Sequence, residues 1–516
     1  MSAVAGPGGL AAPRAGHRPR ELVAHLRSWP ARVPRAAWAC ALVMLANGLA
    51  WSLITPPFEV PDENAHYGYV AQLAERGTMP RIVQPQAQLS PLEDFTLGSV
   101  LFYQIVGQRS NPSPMSELQQ RYVEEIERSH LSRVGSGDAL SATNNPPLYY
   151  ALEIIPYKLA SSGSVLDRLA AMRLLSALMG AVTVLLVYMF LVELLPGRRW
   201  AWSAGALVVA FQPLFGFISG GVNNDNLLFL TATGVLWGLA RSFRRGLTPT
   251  NGALIGGFLG AGIVTKLTML GFVPAAALGV LIALRRSWSA ARGPALRGAC
   301  WAFVLGAAPF ALDVLLNYLV WNRGAIPGGV GSVSTAPGVP AIAFSFRDEL
   351  AHIWQLFLPS IGMRDQFTYV PLWKTWFKGF IGRFGWLDYK FSYHFYLEAL
   401  AVSLGVLALA VSEIVRKRRA FARRIAEFSV YLLAVLGLFV EIGVQSYRLM
   451  IQSGGSAQFE QARYLLPLIG LYGAIAALAV RFGGRRWGPL IGAALVLLAI
   501  GHDISAQVIT ISRYYS

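Results

Sequence analysis

Apolar runs recur along this chain, and short connections rich in arginine and lysine separate them. A helix needs about 20 apolar residues to cross the hydrocarbon core of a bilayer, so runs of about 17–25 residues qualify. Eleven candidate spans fit this pattern, at residues 37–54, 169–195, 201–220, 226–242, 251–266, 269–285, 299–320, 395–414, 428–446, 462–480 and 488–505. The pattern predicts an all-α polytopic membrane protein whose single membrane domain covers residues 37–516.

The basic residues predict how these spans are oriented. Residues 1–36 are rich in Ala, Pro and Gly and contain six arginines, against Glu21 as the one acidic residue. If this tail is cytoplasmic, every connection on its side carries Arg or Lys, as cytoplasmic loops do. The tail and those connections hold more than half of the 44 basic residues. We therefore expect residues 1–36 to be a disordered basic tail with the N-terminus in the cytoplasm.

Two long segments then fall on the outer side. Residues 55–168, the first outer loop, hold 13 acidic residues against 8 basic ones, the reverse of the cytoplasmic bias. Residues 321–394, the second long outer loop, are rich in Trp and Tyr, which favour a bilayer interface. Within the first loop, the stretch NPPLYYALEIIPYKLA at 145–160 is too short and too marked by proline to be a span. It predicts an amphipathic helix on the outer surface.

The composition narrows the classes of function. Only 14% of the residues are charged, against about 25% in soluble domains. A net charge of +17 would suit a nucleic-acid partner, but the basic residues lie in the connections as orientation determinants do, which argues against nucleic acid. The sequence contains no GxxxxGK[ST] or HExxH motif and no cysteine cluster, which disfavours ATP-driven transport and zinc chemistry.

The densest group of ionisable residues follows the first span. The segment PPFEVPDENAHYGYVAQL places Glu59, Asp62, Glu63 and His66 where the chain leaves the membrane. A helix beginning near Pro61 puts Asp62 and His66 on one face, because they are four residues apart. One interpretation is an ordinary helix start, with proline first and acids in the first turn. The functional interpretation makes Asp62 a general base, or makes the carboxylates ligands of a divalent cation such as Mg²⁺ or Mn²⁺.

A second polar group lies in GGVNNDNLL, the short outer turn between two apolar helices. Asn223, Asn224 and Asp225 form either a polar turn with a helix cap or part of a site. Because Asp225 is predicted at the same membrane face as Asp62, the two carboxylates are placed to hold an acceptor or a cation between them. His66 and Asn224 are the expected neighbours of such a ligand.

Two basic residues are predicted at the outer face, where the orientation pattern does not call for them. Lys266, in GIVTKLTML, either snorkels to the interface or pairs with a lipid phosphate. Arg463, in QARYLLP at the start of a span, is either an interface anchor or a phosphate ligand. Trp386 and Asp388, in FGWLDYKF, lie at the outer interface and are expected to support the outer loops.

These motifs, taken in order, resemble a known family. A proline-rich exit with PDE-x-x-H, then NPPLYY, an Asn-Asp turn, GWLD and RYLLP, is similar to the bacterial membrane-protein family known as domain of unknown function 2142. The similarity covers roughly residues 40–500. That family looks like a branch of the GT-C glycosyltransferases, which include protein mannosyltransferases, oligosaccharyltransferase subunits and lipid A aminoarabinose transferases.

The resemblance implies roles for particular residues. Asp62 matches the family's acid of the first outer loop, near catalysis, and Glu63 matches the acid often beside it. Pro146, Pro147 and Leu148 match the motif of the surface helix.

The resemblance also implies substrates and a location. The donor would be a polyprenyl-phosphate-linked sugar, and the acceptor a hydroxyl of a cell-envelope glycan, lipid or protein at the outer face of the bacterial cytoplasmic membrane. Asp225 resembles a second outer-turn acid, while Lys266 and Arg463 match phosphate contacts by position only. Because no sizeable soluble domain follows the spans, we expect selectivity to come from the outer loops and membrane helices.

Three functions follow as hypotheses. In the first, Asp62 deprotonates the acceptor, which displaces the lipid phosphate from the sugar with inversion. The alternative is a lipid or polysaccharide transporter, for which Asp313 and Asn317 inside a predicted span are the relevant polar residues. A third is a non-catalytic membrane scaffold. Gathering of the outer acids and cations around one outward cavity would favour the enzyme, and a continuous polar path past Asp313 would favour transport.

Overall fold

A computed structural model describes residues 33–80, 89–106, 117–135, 142–321, 344–359, 372–452 and 460–515. These residues form a helical bundle with one two-stranded antiparallel sheet, in which Arg383 pairs with Lys390. Almost all of the predicted basic tail lies outside the described residues. The all-α membrane fold expected from the apolar runs is confirmed.

The helices, in chain order, are α1 Arg35–Ile54, α2 Glu63–Arg76, α3 Pro91–Ser99, α4 Phe102–Ile105, α5 Glu117–Arg128, α6 Leu148–Leu159, α7 Val165–Leu194, α8 Arg199–Ala210, α9 Pro213–Ser219, α10 Asp225–Arg245, α11 Pro249–Ile263, α12 Val273–Leu319, α13 Phe346–Phe357, α14 Gly379–Gly382, α15 Tyr393–Arg416, α16 Arg418–Ala422, α17 Ile425–Gln452, α18 Ile469–Phe482 and α19 Gly484–Tyr515. Short 3₁₀ helices cover Leu267–Phe272 and Ala462–Leu468, and a π-helix covers Trp373–Lys378. The strands are β1 Arg383–Phe384 and β2 Tyr389–Lys390.

The lengths of the helices limit the number of membrane crossings. Seven described helical segments are long and apolar enough to cross a membrane, or eight if the bent pair α8 and α9 is one span. One segment, Leu267–Leu319, has 53 residues and would be about 80 Å long if straight, far beyond a bilayer of about 30 Å. Its backbone leaves the helical region at Ala291, where φ is −156°. The count of eleven is thus not confirmed, although each predicted run coincides with a helix, with two consecutive helices or with half of this kinked one.

Close packing of small residues joins the kinked helix to α11. A Cβ added at Gly252 would lie 1.8 Å from the carbonyl oxygen of Gly298, and one added at Gly260 would lie 2.1 Å from that of Leu305. Such backbone proximity is how helices associate in membranes, where apolar surface gives no advantage over lipid. The half of α12 that follows Ala291 therefore packs along α11.

The predicted cytoplasmic connections meet at one end of the bundle, where they neutralise buried carboxylates. Glu193 forms an ion pair with Arg245 at 2.5 Å, and two further arginines of α10, Arg241 and Arg244, lie within 3.7 Å of its carboxylate. Arg416 and Lys417 bind the buried Glu413. Arg424, which follows α16, donates to the carbonyl of Leu194 at 2.9 Å. The basic loops thus lie together at one end, as a common membrane side requires.

The stretch NPPLYY begins a helix at the opposite end, as predicted. The buried residues of α6 are Tyr149, Tyr150, Glu153 and Tyr157, which lie on one face toward α2 and α7. Leu148 donates its backbone N–H to the carbonyl of Val264 at 3.0 Å. The surface helix is therefore tied to the turn that follows α11.

Candidate active site

Four charged residues predicted from separate motifs meet at the end of the bundle opposite the basic loops. Asp62 ends the turn after α1, Asp225 begins α10, Lys266 follows α11, and Arg463 lies in the 3₁₀ helix before α18. Arg463 Nη2 donates a hydrogen bond to Asp62 Oδ2 at 2.5 Å. Lys266 Nζ donates a hydrogen bond to Asp225 Oδ1 at 2.6 Å, and Asp225 Oδ2 lies 3.7 Å from Arg463 Nε. We call these residues the charge cluster.

The two cations of the charge cluster share an aromatic neighbour. Lys266 Nζ lies 5.2 Å from the centre of the Tyr464 ring, and the Arg463 guanidinium carbon lies 5.3 Å from it. A cation over an aromatic face gains electrostatic energy when it is desolvated. Tyr464 thereby helps to keep both positive groups at the same place.

Asp62 is held in an unusual backbone conformation. Its φ of 64° places it in the left-handed region at the N-cap of α2. For residues other than Gly, Asn and Asp this conformation costs roughly 1–2 kcal/mol. The preceding carbonyl, of Pro61, accepts hydrogen bonds from Asn223 at 3.0 Å and from Arg463 at 3.3 Å. The turn is therefore clamped from two sides, which directs the Asp62 carboxylate toward Arg463.

The two carboxylates differ in their access to a ligand. The Asp62 side chain keeps 27% of its surface exposed, whereas that of Asp225 keeps 1%. Burial raises the pKa of Asp62, but the positive charges of Arg463 and Lys266 and the neighbouring His66 more than offset this, so its pKa lies below the ordinary value. Asp62 is thus an ionised carboxylate that a substrate can reach, and Asp225 is an internal counter-ion.

Glu63 has a different environment from the one predicted. It forms a buried ion pair with Arg173 at 2.6 Å. Both of its oxygens also accept backbone hydrogen bonds at 2.8 Å, from Phe58 and from Val222. With two donors on each oxygen, the carboxylate has no acceptor position left for a substrate. This geometry favours a positioning role for Glu63 over the catalytic role predicted for it, because the side chain joins the Asp62 turn to the turn before Asp225.

His66 faces the surface helix. Its Nδ1 lies 2.9 Å from the Tyr150 hydroxyl, and the Tyr150 ring stacks on Tyr69 at 3.7 Å between centres. Burial lowers the pKa of His66 to about 4, although Asp62 opposes this shift. The imidazole is thus neutral near pH 7, and it links the Asp62 helix to the NPPLYY segment through a hydrogen bond.

The asparagines of the outer turn connect the elements of the site. Asn223 accepts from the backbone N–H of Asp225 at 2.9 Å through its side-chain oxygen. Asn224 donates to the carbonyl of Thr265 at 3.3 Å. Its buried Oδ1 has no hydrogen-bond partner among the described residues. This turn therefore sets the distance between Asp225 and Lys266.

Trp386 and Asp388 lie in the turn of the β1–β2 hairpin, outside the charge cluster. Asp388 accepts from Arg513 near the end of α19 at 2.9 Å. The Trp386 ring packs edge-on against Phe102 of α4, with centres 5.8 Å apart. This arrangement joins the second outer loop to the first outer loop and to the last helix.

The donor set of the charge cluster does not suit a resident divalent cation. Within the described ranges, no group of three or more His, Cys, Asp or Glu side chains is placed to hold a metal. The candidate ligands Asp62 and Asp225 already face Arg463 and Lys266, whose positive charges would repel a metal ion between them. Positive charge for a phosphate is available here from side chains.

A small cavity adjoins the charge cluster, and consecutive residues of the chain connect its wall to that of a larger cavity. A small one beside the charge cluster is lined by Pro61, Thr375, Arg383, Glu460 and Arg463, among others. A larger one of about 880 Å³ is walled mainly by apolar side chains of α8, α15, α18 and α19. The segment that includes Phe380 and Ile381 bounds the larger cavity, and its neighbour Gly379 lines the smaller one.

Asp313, the polar residue on which the transport hypothesis depends, lies on another helix, α12. It is buried in the second half of α12, where Asn317 of the same helix donates to it at 3.1 Å. The two residues are one turn apart on the same helix, so their hydrogen bond is local. It gives no support to a polar path through the bundle.

Sequence reasoning missed four residues that organise the site. Arg173 lies in an apolar run and could have been noticed as a charge inside a predicted span. Tyr150 lies in the NPPLYY stretch and Tyr464 in RYLLP, but the sequence alone gave neither tyrosine a role. Glu460 has no motif signal of its own, and only its place beside Arg463 in the folded chain identifies it.

The fold and the site together define a polytopic helical membrane protein with paired acids and cations at one end of its bundle. The chain belongs to the family described as predicted membrane protein DUF2142, whose profile matches residues 45–472. A comparison with curated protein sequences gave no match.

Several solved structures of GT-C glycosyltransferases are similar to this chain. ArnT from Cupriavidus metallidurans, bound to undecaprenyl phosphate, is 14% identical, with 92% of this chain and 70% of that chain covered and a TM-score of 0.45. The apo oligosaccharyltransferase of Archaeoglobus fulgidus is 12% identical, with 95% and 55% covered and a TM-score of 0.40. The S. cerevisiae protein O-mannosyltransferase Pmt1-Pmt2 complex, bound to its sugar donor, is 17% identical, with 58% and 35% covered and a TM-score of 0.36.

Proposed function

We propose that this protein is a membrane glycosyltransferase that moves a sugar from a polyprenyl-phosphate donor to an acceptor hydroxyl at the outer face of the cytoplasmic membrane. The observation that carries the proposal is the gathering of Asp62, Asp225, Lys266 and Arg463 beside one cavity at one end of the bundle. An accessible carboxylate can accept a proton, and fixed cations can stabilise a departing phosphate.

Lys266 and Arg463 are the proposed ligands of the donor phosphate. Arg463 presents a planar guanidinium that can bind phosphate oxygens in pairs, and Lys266 adds a point charge. The Arg463 side chain keeps 5% of its surface exposed and the Lys266 side chain keeps 17%, so their charges act in a partly desolvated site. The buried Asp225 carboxylate contacts both Lys266 and Arg463 and thereby holds the two cations in position.

Asp62 is the proposed general base. It removes the proton of the acceptor hydroxyl while that oxygen forms a bond to the anomeric carbon. The bond between this carbon and the phosphate oxygen breaks, and the electron pair leaves with the polyprenyl phosphate. Because attack and departure occur on opposite faces of the carbon, the configuration is inverted.

The apolar cavity is the proposed place for the polyprenyl chain. Its walls include Val208, Val402, Ala476 and Leu498, which suit a hydrocarbon. One boundary, at Phe380, is next in sequence to the wall of the small cavity beside Arg463. A chain lying in this cavity would place its phosphate on the side of the charge cluster. Undecaprenyl phosphate, the ligand named for the ArnT structure, belongs to this class of lipid.

The test combines purified wild-type protein, a panel of labelled polyprenyl-phosphate sugars and cell-envelope acceptors (glycan, lipid and protein fractions), and it measures release of polyprenyl phosphate together with transfer of the label to an acceptor. In the variant Asp62→Asn, we expect turnover to fall by about 10²–10⁴-fold, the usual contribution of a general base. Asparagine adopts the left-handed conformation as readily as aspartate, so this variant keeps the turn that Asp62→Ala would strain.

The matched control is Asp94→Asn, which removes an exposed outer-loop carboxylate bonded to Tyr103 at 2.6 Å. It should turn over at the wild-type rate. Wild-type turnover by Asp62→Asn would refute the assignment of Asp62 as base. Failure of the wild-type protein to act on any donor of the panel would refute the proposed function.

A further inference from the structure

Three aromatic rings surround the side chain of Lys378. Its Nζ lies 5.0 Å from the centre of the Tyr396 ring, 5.2 Å from that of Tyr393 and 5.9 Å from that of Trp373. A cation within about 6 Å of a ring centre is attracted by the negative face of the ring. The Tyr396 ring is itself fixed, because its hydroxyl donates to the carbonyl of Gly382 at 2.6 Å. We call the three rings that hold this ammonium group the aromatic cage.

The backbone that carries Lys378 has an uncommon conformation. Residues Trp373–Lys378 form a π-helix, in which backbone hydrogen bonds join residues five positions apart. Lys378 therefore lies one turn after Trp373, and a ring of its own helix can reach its ammonium group. Short π-helical turns occur frequently at functional sites. This segment is thus a candidate for a role beyond packing.

Lys378 differs from the cations of the charge cluster in that it has no counter-ion. Lys266 and Arg463 each meet a carboxylate. Among the residues that the structure describes, Lys378 has no ion-pair or hydrogen-bond partner. An ammonium group has three N–H donors, and aromatic faces attract it without neutralising its charge. The aromatic cage therefore presents a positive charge that an anion can neutralise.

The aromatic cage lies at one end of the apolar cavity of about 880 Å³. Phe380, two residues after Lys378, lines this cavity. Phe395 lines it as well, and it stands in the same turn of α15 as Tyr393 and Tyr396. This is the first turn of α15, whereas the last turn of the helix reaches the basic loops. The cage is therefore at the end of the cavity that lies away from the basic loops, as the charge cluster does.

An apolar cavity that ends at a cation without a counter-ion matches a lipid with an anionic head group. Lysine binds phosphate as a point charge, without the fixed geometry that a guanidinium requires. We infer that Lys378 binds the phosphate of a polyprenyl carrier whose chain lies in the apolar cavity, at a position outside the charge cluster. The inference rests on the proposed function and adds a second position for the lipid phosphate.

The charges of the two lipids determine which one Lys378 prefers. The donor of the proposed transfer is a phosphodiester with one negative charge. The lipid product is a phosphate monoester, which carries about 1.5–2 negative charges at pH 7. Because electrostatic attraction grows with the charge of the partner, Lys378 favours the product. It thus draws the spent carrier away from Arg463 and Lys266.

The experiment measures direct binding of undecaprenyl phosphate to the purified full-length protein, so it does not require transfer. In Lys378→Met, the side chain keeps its contact with the aromatic cage but loses its charge. We expect the affinity to fall by about tenfold to a hundredfold, the loss expected for a hydrogen bond between charged groups. Lys378→Arg should restore most of the affinity. A polyprenyl-phosphate sugar should lose less affinity in Lys378→Met than undecaprenyl phosphate does.

The matched control is Lys390→Met, which removes the charge of an exposed lysine on β2 and should bind undecaprenyl phosphate as the wild type does. Two further probes, phosphatidylglycerol and inorganic phosphate, should bind equally to the wild type and to Lys378→Met. An equal loss for phosphatidylglycerol would identify a site for ordinary bilayer lipids, and an equal loss for inorganic phosphate would identify a site for free anions; either would overturn the inference.

The outcomes also separate this inference from the proposed function. If the wild type and Lys378→Met bind undecaprenyl phosphate equally, Lys378 only anchors its helix at the interface, and the proposed function stands without the second position. If the wild type binds neither undecaprenyl phosphate nor any polyprenyl-phosphate sugar, the proposed function fails, and this inference fails with it.

Discussion

Replacing Glu63 by glutamine separates a positioning role from a catalytic one. Glu63 has 0% and Arg173 5% of its side-chain surface exposed, so the two charges neutralise each other away from water. Each Glu63 oxygen accepts from one Arg173 nitrogen and one backbone N–H. Whichever way a glutamine amide turns, its NH₂ group would face two donors, and Arg173 would remain as a buried charge without its counter-ion.

The cost of this change can be estimated from these contacts. Breaking a buried ion pair from one side typically costs about 3–5 kcal/mol. Arg173 keeps three carbonyl acceptors, of Ser52, Thr55 and Pro56, at 2.8–3.0 Å. These partners compensate part of the loss, so we expect about 3 kcal/mol, near the lower end. Thermal unfolding of the detergent-solubilised protein should show a midpoint lowered by several degrees.

A matched control and a double variant complete the experiment. Glu117→Gln removes one partner of an exposed pair whose side chains are 72% and 81% exposed, and it should leave the midpoint unchanged within error. The double variant Glu63→Gln/Arg173→Gln removes the orphaned charge, so it should be more stable than Glu63→Gln alone. A Glu63→Gln protein with wild-type stability and abolished turnover would refute the positioning role and restore the catalytic one.

Three further outcomes are expected. Because burial lowers the pKa of His66 to about 4, the unfolded state binds more protons than the folded state between that value and about 6.5. The unfolding midpoint should therefore fall as the pH drops through this window, and His66→Gln should flatten the slope; an equally steep slope in the variant would contradict it. Ala476→Trp should fill the apolar cavity and raise KM for long-chain donors more than for short-chain ones, whereas Ala311→Trp, on an exposed face of α12, should raise neither. Chelation with EDTA should leave turnover unchanged because Lys266 and Arg463 supply the positive charge; a loss that Mg²⁺ or Mn²⁺ restores would contradict this reasoning.

The sequence predicted the helices and the common end of the bundle at which the candidate residues lie, because both depend on local patterns. Apolar runs specify membrane helices, and the positions of basic residues assign their ends. Once Asp62, Asp225 and Lys266 were placed at one face, their meeting required only that α1, α10 and α11 be neighbours. The break at Ala291 also had a local signal, because Gly293 and Pro294 follow it closely and the apolar runs 269–285 and 299–320 lie on either side of it.

The partners of each charge were beyond prediction because they depend on contacts between distant residues. Glu63 and Asp62 are adjacent in sequence, and nothing local distinguishes the acid that meets Arg173 from the acid that meets Arg463. The difference arises because Asp62 has a left-handed backbone, which directs the two side chains to different partners. Glu460 likewise finds its partner far along the chain, since it accepts a hydrogen bond from Ser446 of another element.

The pairing of Asp62 with Arg463 bears on how the proposed base becomes active. In the free protein the neighbouring positive charges lower the pKa of Asp62, which makes its carboxylate a weak base. The donor phosphodiester carries one negative charge, and Arg463 is its nearest bidentate partner in the proposed site. When Arg463 turns part of its hydrogen-bonding capacity to the phosphate, Asp62 loses attraction from its counter-ion and its pKa rises. Binding of the donor would thus increase the basicity of Asp62 at the moment when an acceptor can be used, and it would keep the carboxylate inert toward water in the absence of donor.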